Sequence, residues 1–181
     1  MVKKTILLLL LAFTFGCDKN DDNNTTITLP PATQIGKGTF ACYVDGKLFI
    51  DKSGGWFNCF YQFVDGEYYF GIQGKDNDYK NTQTPWSISL GTIKRPISKG
   101  EILSLREIQD GNASGGGGFT FSITDNQSSS TSSEFKGELI ITKLDFENNI
   151  VSGTFWFDIT HPVTGERIKI REGRFDTLFT Q

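Results

Sequence analysis

Three cysteines, one histidine and the carboxylates are the residues of this chain that could carry covalent or acid–base chemistry. Cys17 ends an apolar stretch, Ile6–Phe15, which follows the positive pair Lys3 and Lys4 and is closed by Gly16. This order is typical of a secretory signal, and the stretch is too short to cross a bilayer, which takes about 20 residues. A thiol at the cleavage point can take a diacylglycerol, and the amine freed there can take another acyl chain. Cys17 is therefore the predicted lipidation site.

The tetrapeptide Thr14-Phe15-Gly16-Cys17 resembles a lipobox, although Thr14 and Phe15 depart from its usual residues. An ordinary secretory signal that contains a cysteine is the alternative. The acidic, polar run Asp18–Asn24 resembles a surface-export signal of Bacteroidota-type lipoproteins, or else is a solvated linker. We expect a signal peptide at 1–16, a lipidated cysteine with a flexible acidic tether at 17–35, and one domain at 36–181. The protein would then be exported and anchored in the outer membrane, facing the periplasm or the cell surface.

The charge and composition narrow the class of the domain. The formal net charge is −3, and it becomes −5 when Lys3 and Lys4 leave with the signal. An acidic balance argues against a nucleic-acid partner, which usually requires a basic face. The chain has 20 glycines and 16 phenylalanines but one methionine and one histidine, and this composition favours a β protein.

No familiar catalytic or metal-binding set is complete in the sequence. His161 precedes Pro162 in a predicted turn, and a turn role is the simpler interpretation. One histidine and two remaining cysteines cannot build the usual zinc site, and no Gly-x-Ser-x-Gly elbow supports a serine triad. Gly115–Gly118 lacks the Lys-Ser/Thr of a phosphate loop and is predicted to be a flexible loop. Asp76–Asp78 lacks the later ligands of a calcium loop, so no cofactor or metal is predicted.

Cys42 and Cys59 remain once Cys17 is used for lipidation. An exported compartment permits a disulfide between them. The bond would close a loop of about 17 residues and stabilise the fold by about 3 kcal/mol in the chain-entropy model. Two buried free thiols are the alternative.

Two Asp-Gly dipeptides, at 45–46 and 65–66, each lie between alternating apolar segments and predict β-hairpins. The flanking segments are Thr39–Val44 with Lys47–Ile50, and Trp56–Val64 with Glu67–Gly74. In the second hairpin a two-residue turn sets three pairs opposite one another: Phe63 and Tyr68, Tyr61 and Phe70, Cys59 and Ile72. All six then share one face, which directs Cys59 towards the core.

The C-terminal part predicts four further strands. Asn148-Asn149 would turn between Phe135–Phe146 and Ile150–Ile159, and Glu172-Gly173 would turn again near the end. A third predicted turn, around His161–Glu166, places Ile159 opposite Ile168 and Phe157 opposite Ile170. Together the turns align one apolar row: Ile140, Phe157, Ile170 and Phe175. Segments 109–118 and 126–134 are predicted loops. The sequence therefore predicts an all-β domain, an antiparallel β-meander that forms either a barrel or a two-sheet sandwich.

Aromatic and basic residues are the candidates for binding. Trp56, Trp86 and Trp156 are weak candidates for a ligand platform, because aromatic residues more often belong to the core. Arg167, Lys169 and Arg171 alternate outwards on one strand, where they form either an anion-binding patch or a solvated strand face.

The segments Thr39–Lys47, Gly153–Asp158 and Gly173–Asp176 resemble the opening and the ending of a family of uncharacterised Bacteroidota lipoproteins. The resemblance covers the whole mature domain except for 75–134, and it rests on turn and core residues. It implies an exported, lipid-anchored β domain and no activity.

Three functions follow from these observations as expectations. The first is a non-enzymatic envelope lipoprotein that binds a glycan, a peptide or a partner protein. The second is a small-ligand carrier with a barrel cavity lined by residues such as Phe57, Tyr61, Phe70 and Phe155. The third is a hydrolase that uses two carboxylates about 5–10 Å apart.

Overall fold

The computed structural model describes residues 28–54, 58–77 and 83–181. Within these ranges the chain forms eleven β-strands and no α-helix, which confirms the all-β prediction. The strands are β1 Thr39–Val44, β2 Lys47–Ile50, β3 Asn58–Val64, β4 Glu67–Lys75, β5 Ser87–Thr92, β6 Ile102–Leu105, β7 Ala113–Thr120, β8 Asn126–Ser130, β9 Gly137–Asp145, β10 Ile150–Thr160 and β11 Arg167–Leu178.

The strands form one sheet that curls into a half-barrel around an apolar core. Their spatial order is β2-β1-β11-β10-β9-β6-β7-β5-β4-β3, and β8 pairs with β7 outside this path. Consecutive antiparallel hairpins account for most neighbours, but β6 is inserted between β9 and β7 and is parallel to β7. Beyond β11, Thr180 connects the chain to the far edge of the sheet: Tyr61 N donates to Thr180 O at 2.8 Å, and Thr180 N donates to Cys59 O at 3.0 Å.

The predicted register of the β3–β4 hairpin is confirmed. Cys59 lies opposite Ile72, Tyr61 opposite Phe70 and Phe63 opposite Tyr68. The turn holds Asp65 and Gly66 at φ values of 51° and 85°, which is the left-handed conformation that a tight hairpin turn requires. The alternation and the turn therefore agree, and they direct Cys59, Tyr61 and Phe70 into the core.

The predicted register of the β9–β10 hairpin was wrong, and so was the position of Ile140. Four residues, 146–149, form the turn, and Asp145 Oδ1 accepts hydrogen bonds from the backbone of Glu147 at 3.1 Å and Asn148 at 3.0 Å. A further irregularity follows at Ser152 and Gly153. Ile140 consequently pairs with Thr154 instead of Phe157, because the Asp145 side chain builds a longer turn than Asn148-Asn149 alone.

The predicted turn at Glu172-Gly173 is instead a β-bulge inside β11. The strand continues through it, with one extra residue relative to both β1 and β10. Glu172 has a φ of 52°, which is the left-handed conformation that a turn before Gly173 would need. In this strand the same conformation produces a bulge, which kinks the chain without reversing its direction. The predicted pairs of Phe157 with Ile170 and Ile159 with Ile168 are confirmed, whereas Phe175 lies further along the same strand.

The two predicted loops at 109–118 and 126–134 contain strands β7 and β8. A β-carbon built on Gly115 would lie 2.9 Å from the ring of Phe157, and one built on Gly117 would lie 2.8 Å from Ile159 Cδ1. Glycine is needed here because the inner face of β7 has no space for a side chain. The glycine run is therefore a close-packed strand and not a flexible loop.

Cys42 and Cys59 are buried free thiols, so the predicted disulfide is absent from the structure. Cys42 lies in β1 opposite Phe49, and Cys59 lies in β3 opposite Ile72. The two hairpins occupy opposite ends of the strand order, so the cysteines are not neighbours on paired strands. Burial raises the pKa of both thiols far above its usual range.

Asp176 in β11 fixes the segment that enters the domain. This buried carboxylate accepts hydrogen bonds from Thr33 Oγ1 at 2.6 Å, Gly36 N at 2.8 Å and Ser152 Oγ at 2.8 Å. The backbone of Ile35 donates at 3.0 Å, and that of Lys37 at 3.2 Å. Burial alone would raise the pKa of Asp176, but these hydrogen bonds outweigh it and lower the pKa to about 2. The contacts of the fold thus begin before residue 36.

The free thiols give a first prediction. In the unfolded chain without reductant, we expect iodoacetamide to modify both Cys42 and Cys59, whereas the folded protein resists because both are buried and protonated. Mass spectrometry of Cys17→Ser protein counts the modified thiols. Two thiols that become reactive only after reduction would show that the disulfide exists.

Asp176 gives a second prediction. Its pKa lies below the value of about 3.9 of an unfolded aspartate, so the carboxylate stabilises the fold above pH 4 and loses this effect as the pH falls towards 2. We expect Asp176→Asn to lower the free energy of unfolding by about 2 kcal/mol at pH 7, because an amide group cannot accept all five donors. The variant should also show a flatter decline between pH 4 and pH 2.

Urea unfolding at pH 7, 4 and 2.5 measures both effects. Thr33→Val removes a single donor and should produce a smaller loss at pH 7. An Asp176→Asn protein with the acid sensitivity of the parent would contradict this role of the carboxylate.

Candidate functional site

A candidate site lies on the outer face of strands β3, β4, β5, β7 and β8. Phe70 and Ile72 of β4 point into the core, so Tyr69, Gly71 and Gln73 point outwards. Pairing across the sheet arranges the outward residues in rows. One row is Phe60, Gly71, Gly91 and Ser114; the next is Asn58, Gln73, Ser89, Gly116 and Ser130; the third is Lys75, Ser87, Gly118 and Ser128. All of these residues except Asn58 and Lys75 line the site.

These rows form a trough of about 680 Å³ with a floor of glycine and serine. Phe60 and Tyr69 are the aromatic residues at one side, and Ile93 and Ile108 line it as well. The ring of Phe60 lies flat on its cross-strand neighbour, since a β-carbon on Gly71 would lie 2.5 Å from two ring atoms. The volume is within the range of about 300–1,000 Å³ that is typical of small-molecule sites.

No charged residue lines the trough among the residues that the structure describes. Its polar side chains are the amides of Gln62 and Gln73 and the hydroxyls of several serines and Thr92. Neutral amides and hydroxyls donate and accept hydrogen bonds but do not titrate near neutral pH. The trough can therefore bind a ligand through neutral hydrogen-bonding groups, which include the phenol of Tyr69.

A smaller cavity of about 280 Å³ holds more titratable groups, including Asp45, His161 and Glu166. His161 is buried, and its Nδ1 accepts hydrogen bonds from the backbone of Val163 at 3.2 Å and Thr164 at 3.0 Å. Its ring also packs on Phe119, with 5.2 Å between ring centroids. His161 has the turn role that its sequence position indicates.

The other carboxylates beside this cavity also have structural partners. Asp45 Oδ1 accepts the backbone N–H of Lys169 at 2.9 Å, and Glu166 Oε2 accepts the hydroxyl of Thr164 at 3.2 Å. Nowhere in the described ranges do three or more His, Cys, Asp or Glu residues form a group that could hold a metal ion. Asp78 of the weak calcium motif lies outside those ranges.

The arginines of β11 neutralise a buried carboxylate of β10. Asp158 is 2 % exposed; Arg167 pairs with its Oδ2, and Arg171 Nη2 lies 2.7 Å from its Oδ1. Arg171 also donates to the carbonyl of Phe157 at 3.0 Å. Because these two cations are already paired, the row is a structural ion-pair network and offers little to a bound anion.

Trp86 and Trp156, the two tryptophans that the structure describes, do not share a platform. Trp156 is 42 % exposed, and the Arg171 guanidinium lies 5.4 Å from its ring centroid. Trp86 precedes β5, under Lys75, and its indole nitrogen is buried without a hydrogen-bond partner in the described part of the chain. β10 and β5 are separated by β9, β6 and β7, so Trp156 and Trp86 lie on different parts of the sheet. Trp56 lies outside the described residues.

The sequence could have indicated Phe60 and Tyr69, which were missed. The register that directs Cys59 and Tyr61 inwards also directs Phe60 and Gln62 outwards, and Gln62 pairs with Tyr69. An aromatic residue on the solvent face of a predicted hairpin was the available signal. The rest of the trough depends on the pairing of β5 with β7, which joins segments on either side of β6.

No protein-family model, no curated protein and no solved structure matches this chain. The resemblance to Bacteroidota lipoproteins therefore stays a prediction. Among the described residues there is no helix of the length and apolar character needed to cross a membrane.

Proposed function

We propose that the protein is an exported, lipid-anchored envelope lipoprotein whose domain is a non-enzymatic binding module. The observation that carries the proposal is the neutral trough on the outer face of β3, β4, β5, β7 and β8. It combines a ligand-sized volume, two aromatic side chains and several polar groups, and its described lining contains no carboxylate, histidine, lysine or arginine.

The anchor is proposed from the sequence, because Cys17 lies outside the described residues. The last residues of the predicted tether are held by the domain, since Asp176 accepts hydrogen bonds from Thr33, Ile35 and Gly36. Arg174 Nη1 also donates to the carbonyl of Pro30 at 3.3 Å. A trough held near a membrane in this way would meet ligands of the envelope or of the cell surface.

A carrier function in the interior of the barrel is less well supported. Tyr61, Phe70 and Phe155, three of the expected cavity residues, are buried and pack against other rings. Tyr61 and Phe179 have ring centroids 6.2 Å apart, Phe70 and Phe175 6.3 Å, and Phe40 and Phe155 5.1 Å. The fourth, Phe57, lies outside the described residues.

The anchor is tested by lipid labelling of the full chain expressed in a bacterium that processes lipoproteins. We expect incorporation of an alkyne fatty acid into the parent protein and none into Cys17→Ser, because the thiol is the acceptor. Cys42→Ser is the matched control and should label normally. Labelling that persists in Cys17→Ser would refute the anchor.

The binding module is tested by capture of native envelope material on immobilised full-length protein. Ser89→Phe fills the floor of the trough at an outward strand position, where an aromatic residue is well tolerated. We expect the parent and Trp156→Ala to capture the same material and Ser89→Phe to capture at least tenfold less. Thermal unfolding confirms that each variant is folded. Equal capture by all three would refute the trough as the binding surface.

A further inference from the structure

We propose that the ligand of the trough is an uncharged oligosaccharide chain, an inference that rests on the binding function proposed above. The charge of the lining is the first reason. The described residues that line the trough include no lysine, arginine, histidine, aspartate or glutamate. An acidic glycan, a nucleotide or a phospholipid head group would find no cation there to replace its lost hydration.

The basic side chain that follows the trough residues along β4 contacts a tryptophan instead. Lys75 follows Gln73 as the next outward residue of β4, but it does not line the trough. Its ammonium group lies 5.6 Å from the ring centroid of Trp86, a cation–π contact.

The pairing of the floor strands excludes a peptide that would bind by adding a strand. β4 lies between β3 and β5, and β5 lies between β4 and β7. Their backbone N–H and C=O groups are therefore used in the sheet and are not available to an added peptide strand, which binds mainly through such groups. A ligand on this face must be recognised by side chains.

The available side chains match the two kinds of surface that a neutral sugar presents. Phe60 and Tyr69 offer aromatic faces, on which the apolar C–H face of a pyranose ring packs. Gln62, Gln73, Ser89 and Ser114 make no side-chain hydrogen bond within the described part of the chain, so their amides and hydroxyls are available to sugar hydroxyls.

The shape of the site favours a chain over a single sugar. The trough crosses five strands, which corresponds to about 19 Å at the usual spacing of about 4.8 Å. The small floor residues allow close approach along this length, and the two aromatic rings stand at one side. A ligand that contacts both the rings of β3 and β4 and the serines of β8 must therefore be elongated.

Direct binding is measured with the full chain in a detergent that contains no sugar. Uncharged cello-, xylo-, manno- and malto-oligosaccharides are compared by calorimetry with uronic-acid oligosaccharides. We expect at least one uncharged series to bind, with affinity rising with chain length, and the uronic-acid series to bind at least tenfold more weakly. Tyr69→Ala and Gln73→Leu should each weaken binding at least tenfold, whereas Trp156→Ala, on a different part of the sheet, should not.

The captured envelope material provides the second arm. Periodate cleaves vicinal diols and should abolish trough-dependent capture, whereas prior digestion with protease should leave it intact. Capture that survives periodate and is lost with protease would overturn the glycan proposal while the binding function stands. Tighter binding of the uronic-acid series, or sugar binding that Tyr69→Ala and Gln73→Leu leave unchanged, would also overturn it. Capture that Ser89→Phe leaves unchanged would instead refute the binding function itself.

Discussion

Phenylalanine rings packed directly on glycine backbone determine the shape of this domain. A β-carbon built on Gly74 would lie 2.5 Å from the ring of Phe40, and one on Gly173 would lie 2.4 Å from the ring of Phe155. The same relation joins Phe60 with Gly71, Phe157 with Gly115, and Phe175 with Gly153. Glycine weakens a strand, but here each one creates the space that a ring fills, and the buried rings among them stabilise the core. At these five glycines the residue type is thus a packing requirement of the curled sheet.

Two buried carboxylates show how the fold accommodates charge. Asp176 is surrounded by hydroxyl and backbone donors, which lower its pKa to about 2 without any cation among the bonds that it accepts. Asp158 instead relies on Arg167 and Arg171. The first arrangement holds the entering segment against β11, and the second joins β10 to β11. Both carboxylates therefore concentrate polar interactions on β11, the strand between β1 and β10.

The sequence predicted those hairpins whose register depends only on the turn residues and the adjacent strands. Asp-Gly turns and alternating residues were sufficient for β1–β2 and β3–β4, including the pairs Tyr61–Phe70 and Cys59–Ile72. The prediction failed where the structure of a segment depends on residues far away in the sequence. Gly115–Gly118 resembles a loop unless the rings and strands that pack against it are known. Glu172-Gly173 failed for a different reason, because a left-handed residue followed by glycine occurs in both turns and bulges. Whether Cys42 and Cys59 can form a disulfide depends on the strand order, which no local sequence pattern indicates.

The trough shows why the candidate site was the hardest part to foresee. Each of its outward residues is ordinary alone, and only the pairing of β5 with β7 brings Ser89 beside Gly116 and Gly91 beside Ser114. Solvent-facing strand positions usually carry charged side chains, which keep a sheet surface soluble and separate. Charged residues make up 22 % of this chain, yet none is found among the described residues that line a trough across five strands. Packing explains Gly71, which accommodates the ring of Phe60, but it does not require neutral serines at Ser89 and Ser114. Contact with an uncharged, hydroxyl-rich chain would require such a surface, on which the side chains are small, neutral and able to form hydrogen bonds.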